Sequence, residues 1–365
     1  MALIDEVSIR SQPDFSRLRK VLLRQGLPDR VPFYELFADK PIKDKILGKP
    51  CLLFLLPSPD LDQLIRNEIE FWSRLGFDYV PASPPLLFPA KASVSKDTAS
   101  LTLGARLWLN ETATNIIKTR ADYEGHRFPE VEQINWSAFD RLCELLPEGM
   151  VAFGQLSGVL ENVMWLMGHE GLAFALADDP DLVQTMFDRI GAALLKLTRL
   201  MLERPQVGAI QMGDDMGFNT GTFISPAALR RYVFPWQKKI VDATHAAGRP
   251  FILHSCGNLT RIMDELIGEV GIDAKHSFED AIMPVAEVKR RWGSRIGILG
   301  GVDMSVLARA SVEETRAYTR KVMQDCMEAG GWALGSGNSV ANYLKPENYL
   351  AMLEEGRKLG NYSAG

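Results

Sequence analysis

The feature that most constrains what this chain can fold into is an alternation of short apolar runs with longer helical patterns. From about residue 205 onward it has the order of βα units around a parallel sheet. Five runs lie in the C-terminal half: Gly208–Met212, Phe251–His254, Gly271–Lys275, Arg295–Leu299 and Gly331–Leu334. Val31–Phe37, Phe77–Pro81 and Met150–Gln155 read the same way and bring the total to eight. Eight parallel strands predict an α/β fold of the (β/α)8 type, a TIM barrel. The helices between them carry physical start signals. Asp179-Pro180 and Ser225-Pro226 each place a capping oxygen ahead of a proline at the first helical position, and Ser311-Val-Glu-Glu314 fits a capping box. Val183, Phe187, Ile190, Leu194, Leu197 and Met201 recur at three- and four-residue steps, which predicts one buried stripe on a long helix.

Two regions fall outside that rhythm. Residues 1 to about 30 read as amphipathic helix, with Phe15, Leu18, Val21, Leu22 and Leu23 set among charges, and are expected to cap one end of the barrel. Residues 101–127 instead alternate apolar and polar side chains, as in Ala105–Leu109 and Asn115–Thr119, which predicts an inserted β-hairpin or small meander. With no repeat, low-complexity tract or linker, residues 1–365 are expected to form a single domain.

Composition narrows the function. At 46% hydrophobic and 24% charged residues the chain has the balance of an ordinary globular protein. A net charge of −5 and a pI near 5.7 leave no broad basic surface for nucleic acid. The first residues lack the apolar run of a signal peptide, and no segment approaches the roughly 20 apolar residues needed to span a bilayer. A cytoplasmic location is the expectation. Cys51, Cys143, Cys256 and Cys326 are scattered, which fits a reducing compartment rather than a disulfide framework.

In a barrel the active site lies at the carboxyl ends of the strands, so polar residues that terminate apolar runs matter most. Those residues are Glu35, Gln155, Asp214, Asp215, His254, Cys256, His276, Asp303, Ser336 and Asn338. His254 and Cys256 are the sharpest pair. In an extended segment residues i and i+2 point the same way, so imidazole and thiol can converge on one ion, and that donor set suits zinc. The competing reading is a buried core cysteine beside a hydrogen-bonded histidine. Asp214 and Asp215 supply adjacent carboxylates for metal ligation or acid/base work, or else one caps a loop and the other meets solvent. His276 offers an acid/base group or a ligand. Phe33, Tyr34, Glu35, Gln155, Ser336 and Asn338, with Phe37 and Trp165, are expected around a pocket for a small, partly apolar substrate.

The strand order, Ser225-Pro226, the His254-Ser-Cys256 motif, Gly300-Gly-Val-Asp303, Gly335-Ser-Gly-Asn338 and Pro346-Glu-Asn348 together resemble the uroporphyrinogen decarboxylase superfamily, over about residues 29–353. That resemblance implies one of two chemistries. The decarboxylases proper use no metal and hold an acidic tetrapyrrole with an arginine-rich N-terminal segment and an aspartate. Here the corresponding stretch reads Arg30-Val-Pro-Phe-Tyr-Glu-Leu-Phe37, and a substrate with many carboxylates needs cationic partners. Asp78 lies near where the aspartate would fall. The other branch, similar to methylcobalamin:coenzyme M methyltransferases, binds zinc through a His-x-Cys pair and a distant cysteine, and exchanges a methyl group with a corrinoid. His254 and Cys256 match the pair, while Ser336 stands where the distant cysteine is expected. Asp215, Glu161 or His276 would then complete the set. The expected activity is methyl transfer between a small methoxy, methylamine or methylthiol compound and a corrinoid, methylcobalamin or one carried by a partner protein. A metal-free lyase is the alternative, and the family suggests a homodimer.

Overall fold

The computed structural model describes the chain except residues 1, 8, 10, 53–57, 85–87, 89–91, 96–105, 110–115 and 363–365. Among the described residues the strands are β1 (Tyr79–Ala82), β2 (Ala92–Ser95), β3 (Arg106–Leu109), β4 (Val151–Ser157), β5 (Val207–Gly213), β6 (Gly217–Phe218), β7 (Gly221–Thr222), β8 (Phe251–His254), β9 (Ala274–His276), β10 (Gly297–Leu299) and β11 (Trp332–Ala333). Seven of them form one parallel sheet in the order β1-β4-β5-β8-β9-β10-β11. Each successive strand lies beside the previous one with helix between, as βα units require. Helices cover the outer face, so Val207–Met212 is buried throughout.

The register sets up the site. Gly213 pairs with His254, His254 with His276, and His276 with Leu299. The two histidines are therefore neighbours in one row across the sheet, at the carboxyl ends of their strands.

Val31–Phe37, expected as the first strand, is not one. It runs beside β11 through a single parallel bridge, Phe33 to Leu334, in which the Tyr34 amide donates to Leu334 O (2.8 Å) and the Leu334 amide donates to Pro32 O (3.0 Å). Two features stop a ladder from growing. Pro32 has no N–H, and the Glu35 amide donates to the Tyr79 hydroxyl (2.7 Å) instead of to a strand. The eighth strand of a closed barrel is thus absent among the described residues, and the architecture is a seven-stranded parallel sheet with a bridged edge segment.

The expected hairpin is placed differently. β3 falls inside the 101–127 stretch, but it pairs antiparallel with β2 upstream (Ser95 with Arg106, Ala92 with Leu109). Downstream, Ile116 and Ile117 both donate their amides to Leu166 O (2.8 and 3.0 Å), and a capping box at Thr119 starts a helix over Arg120–Gly125. Alternation around Ile116 reflects one buried isoleucine in a loop. The remainder of that expectation, 101–105 and 110–115, lies outside the described residues.

Helix starts fall where their capping residues stand. Asp179, Ser225 and Ser311 each accept a backbone N–H of the first turn. The helix Pro180–Leu202 buries all six residues of its apolar stripe, and each large side chain removed from water contributes about 1.5–3 kcal/mol. Helix Phe15–Leu22 is capped by Asp14 and buries Leu18, Val21 and Leu22. It lies under the amino end of β10, where a Cβ on Gly297 would come within 2.9 Å of Val21 O.

Candidate metal centre

Beyond the row of strand ends the chain continues into Asp214-Asp215 after β5, Ser255-Cys256 after β8 and Ser277 after β9. The two adjacent aspartates have opposite environments. Asp214 is fully buried and accepts the backbone N–H groups of Val159 (3.0 Å), Leu160 (3.0 Å) and Glu161 (3.1 Å), and the Gln237 amide (2.8 Å). It caps the helix Val159–Met167, satisfying donors that have no partner inside the helix and meeting the positive end of its dipole. Burial pushes this carboxyl up to about 7 against the donors that hold it down. Gly158 makes the approach possible, since a Cβ there would lie 2.1 Å from the Asp214 carboxyl. The residue expected to be catalytic therefore has its oxygens occupied by the cap. Glu161 reaches back to the Gly158 amide (3.5 Å) in the same cap.

Asp215 turns the other way. One carboxylate oxygen accepts the Cys256 amide (2.8 Å) and lies 3.7 Å from His254 Nε2. His254 Nε2 is in turn 3.5 Å from Cys256 Sγ. One ligand atom each from Asp215, His254 and Cys256 therefore fall within 4.8 Å of one another. An imidazole nitrogen, a sulfur and a carboxylate oxygen form the donor set that borderline-soft divalent ions take.

The sulfur is surrounded by donors. Ser277 Oγ and Asn338 Nδ2 each donate to Cys256 Sγ at 3.3 Å. Ser277 has φ +82°, a conformation rarely adopted by a residue with a side chain, and that strain is retained at the site. The ammonium of Lys275 holds the turn by donating to the carbonyls of Ser255 (3.1 Å), His276 (3.1 Å) and Ser277 (2.7 Å). Burial, with the Asp215 charge, keeps the Cys256 thiol well above its ordinary value. Burial also raises Asp215 and, with nearby Lys275, lowers His254 to about 3. His254 is therefore neutral, the form in which imidazole binds a metal.

His276 does not join the donor cluster. It lies behind His254, with the two Nδ1 atoms 2.9 Å apart and its own Nε2 3.1 Å from Ser336 O. Ser336 is buried and donates its hydroxyl and its amide (2.8 Å) to the Glu35 carboxylate, so it supplies no donor to the cluster. Asn338 touches the cysteine sulfur. Of the remaining residues expected around a pocket, Phe33 is instead buried against Phe77 in the outer core, Tyr34 is buried with its hydroxyl donating to Gln211 Oε1 (2.9 Å), and Gln155 donates to Leu36 O (2.8 Å). Glu35 is fully buried, and that raises its carboxyl to about 8. The polar groups of Tyr34, Glu35 and Gln155 are thus engaged in hydrogen bonds within the protein. Trp165 is buried in its helix and Phe37 is exposed.

Asp78, the other carboxylate singled out, lies at the opposite end of the sheet. It precedes β1, accepts the Asp14 amide (2.9 Å), and pairs with Arg17 (3.3 Å) and Arg30 (3.8 Å). Strand polarity places it away from the strand ends that carry the cluster. Lys275 and Ser277 were missed by the sequence reading, although a lysine inside an apolar strand and a polar residue two positions on were signals for both.

Comparison with known proteins matches the chain to a family. The family model described as Uroporphyrinogen decarboxylase (URO-D) matches residues 103–359. The chain belongs to the uroporphyrinogen decarboxylase family. Within it, a uroporphyrinogen decarboxylase of Thioalkalivibrio sulfidiphilus is 28% identical over 190 residues, 51% of each chain. A methylcobamide:CoM methyltransferase of Methanosarcina mazei is 29% identical over 129 residues, 34% of each chain. The chain thus spans about half the length, or less, of these two curated relatives. A solved structure titled methyltransferase from Methanosarcina mazei superposes with a TM-score of 0.69 at 16% identity, covering 95% of this chain and 99% of that one, and so shares its fold. Among the described residues, no helix is long and apolar enough to cross a membrane.

Proposed function

We propose that this family member is a corrinoid-dependent methyltransferase whose zinc is held by Asp215, His254 and Cys256. The observation that carries the reading is the convergence of one nitrogen, one sulfur and one oxygen within 4.8 Å at the strand ends. These residues fit the ion for three reasons. His254 is neutral, Ser277 and Asn338 stand ready to stabilise a thiolate, and Asp215 supplies the anionic oxygen where a second cysteine would otherwise be needed. The likeness to the Methanosarcina mazei methyltransferases supports this branch of the family.

A zinc ion bound here would act as a Lewis acid, and with a single thiolate it would be more electrophilic than a site with two, better suited to polarising an oxygen or nitrogen. The chain's own residues do the rest. Lys275 fixes the turn that carries Ser277. Ser277 and Asn338 hold the sulfur, and Asp214 anchors the loop from which Asp215 reaches. The substrate class is then a methoxy or methylamine compound exchanging its methyl group with a corrinoid. The arginine-rich segment a porphyrinogen would need has no counterpart, since Arg30 is buried at the far end of the sheet beside Asp78.

The test is methyl transfer from a panel of methoxy, methylamine and methylthiol compounds to chemically reduced cob(I)alamin, the demethylated product leaving with a proton, followed by the absorbance of methylcobalamin. Zinc-loaded protein is expected to turn over at least one donor of the first two classes. Release of CO2 from a porphyrinogen by metal-free protein, with no methyl transfer to any acceptor, would establish the lyase reading instead.

A further inference from the structure

Three buried groups behind the cluster, Glu35, Ser336 and His276, join His254 in one hydrogen-bonded chain whose direction is fixed at one end by chemistry. Ser336 O is a carbonyl and can only accept, so His276 Nε2 at 3.1 Å carries the proton and donates to it. Charging His276 would place an imidazolium in a fully buried position beside Lys275, where the ring's contacts are a backbone carbonyl, a second imidazole and the Tyr34 ring rather than a carboxylate. His276 is therefore neutral, with Nδ1 unprotonated. The contact between the two Nδ1 atoms, at 2.9 Å, then has a single polarity: His254 donates and His276 accepts. His254 Nε2 is left as a bare lone pair, and that is the atom facing Asp215 and Cys256.

The far end of the chain is anchored as firmly. Glu35 accepts both the amide and the hydroxyl of Ser336, and the same hydroxyl lies 3.0 Å from Asn338 O. Gly300, at φ +75°, lets the two strands approach, since a Cβ there would lie 2.2 Å from Ser336 O and 3.0 Å from His276 Nε2. Tyr34 packs edge-on against the His276 ring, with centroids 4.8 Å apart.

We infer that Glu35, Ser336 and His276 are positioning residues that lock His254 in the tautomer protonated on Nδ1, so that Nε2 is presented to the cluster as a lone pair before any ligand arrives. The role of Ser336 is thereby reassigned. Where the family resemblance implies a third sulfur ligand, this chain uses the backbone carbonyl of the same residue to orient the histidine ligand. The functional importance of the relay rests on the metal-site reading above, but the tautomer itself does not.

The direct test is the imidazole 15N pattern of metal-free, histidine-labelled protein, which has five histidines to assign. The expected result is His254 protonated on Nδ1 and His276 on Nε2. His254 protonated on Nε2, or an average of the two tautomers, would overturn the inference. The second measurement is Co2+ affinity by chelator competition. His276→Phe removes the acceptor and is expected to weaken binding ~10–100-fold, the range for lost outer partners of a metal ligand. His276→Gln, which can accept from His254 and donate to Ser336 O, is expected to recover most of that loss. Wild-type affinity in His276→Phe with a mixed His254 tautomer would also refute the relay. Wild-type protein that shows the expected tautomer yet binds no metal would uphold the relay and sink the metal site, so the two claims fail separately.

Discussion

Two clusters of buried ionisable groups sit at opposite ends of the same sheet, and they differ in what their hydrogen bonds converge upon. At the amino end Asp78 takes its contacts from Arg17, Arg30 and the Asp14 amide, while Arg30 also donates to Ser11 Oγ (2.8 Å). Opposite charges there neutralise one another and tie the N-terminal segment to β1. At the carboxyl end the contacts converge on the sulfur of Cys256, which accepts from Ser277 and Asn338 and lies 3.5 Å from His254 Nε2. The paired cluster gathers these contacts on one Asp78 oxygen and leaves the other buried without a hydrogen-bond partner. The carboxyl-end cluster instead brings one ligand atom from each of three residues within 4.8 Å of one another, and that convergence distinguishes the two ends more sharply than burial does.

The contrast can be broken from either end. Asp78→Ala should have the largest effect and confine it to stability: removing one partner of a buried pair leaves Arg30 uncompensated, which costs about 3–5 kcal/mol in denaturant unfolding, with metal affinity of the folded protein unchanged. Cys256→Ser should do the reverse, lowering Co2+ affinity at least ~100-fold with little change in the unfolding midpoint. The adjacent aspartates sharpen the same comparison at one-residue resolution. Asp214→Ala is expected to cost about 1–3 kcal/mol through orphaned helix donors, whereas Asp215→Asn should leave stability near wild type and weaken the metal ~10–100-fold. Either aspartate behaving like its neighbour would contradict the assignment.

The smallest effect is a pH slope. The Cys256 thiol is held well above its ordinary value, so the metal-free protein is protonated there at neutral pH and ligation must release that proton. His254, lowered to about 3, is already neutral and releases none. Metal affinity should therefore rise with pH, about tenfold per unit for one proton, read from chelator competition between pH 6 and 8. A flat profile would show that the sulfur does not ligate.

Much of this was legible in the sequence because local rules act on few residues. Asp179, Ser225 and Ser311 announced helix starts through their own side chains, and Phe251–His254 showed its strand through an unbroken apolar run. The i, i+2 spacing of His254 and Cys256 was enough to predict a shared face. What was not legible depended on partners distant in the chain. Nothing local separates Asp214 from Asp215; the difference is made by the amides of Val159, Leu160 and Glu161, more than 50 positions away. Val31–Phe37 has the composition of a strand, yet Pro32 and the hydroxyl of Tyr79 prevent a ladder. Glu35 and Ser336 read as pocket residues because both follow apolar runs, and only the fold shows that they bind each other, 301 positions apart.

The most direct test of the central claim is a titration of the metal-free protein with Co2+, followed by its absorption spectrum. The proposed site predicts one ion bound by Cys256, with an intense sulfur-to-cobalt charge-transfer band that is absent from Cys256→Ser and retained in Asp214→Ala. Saturating Co2+ that produces no such band in the wild-type protein, or a band that survives in Cys256→Ser, would contradict it.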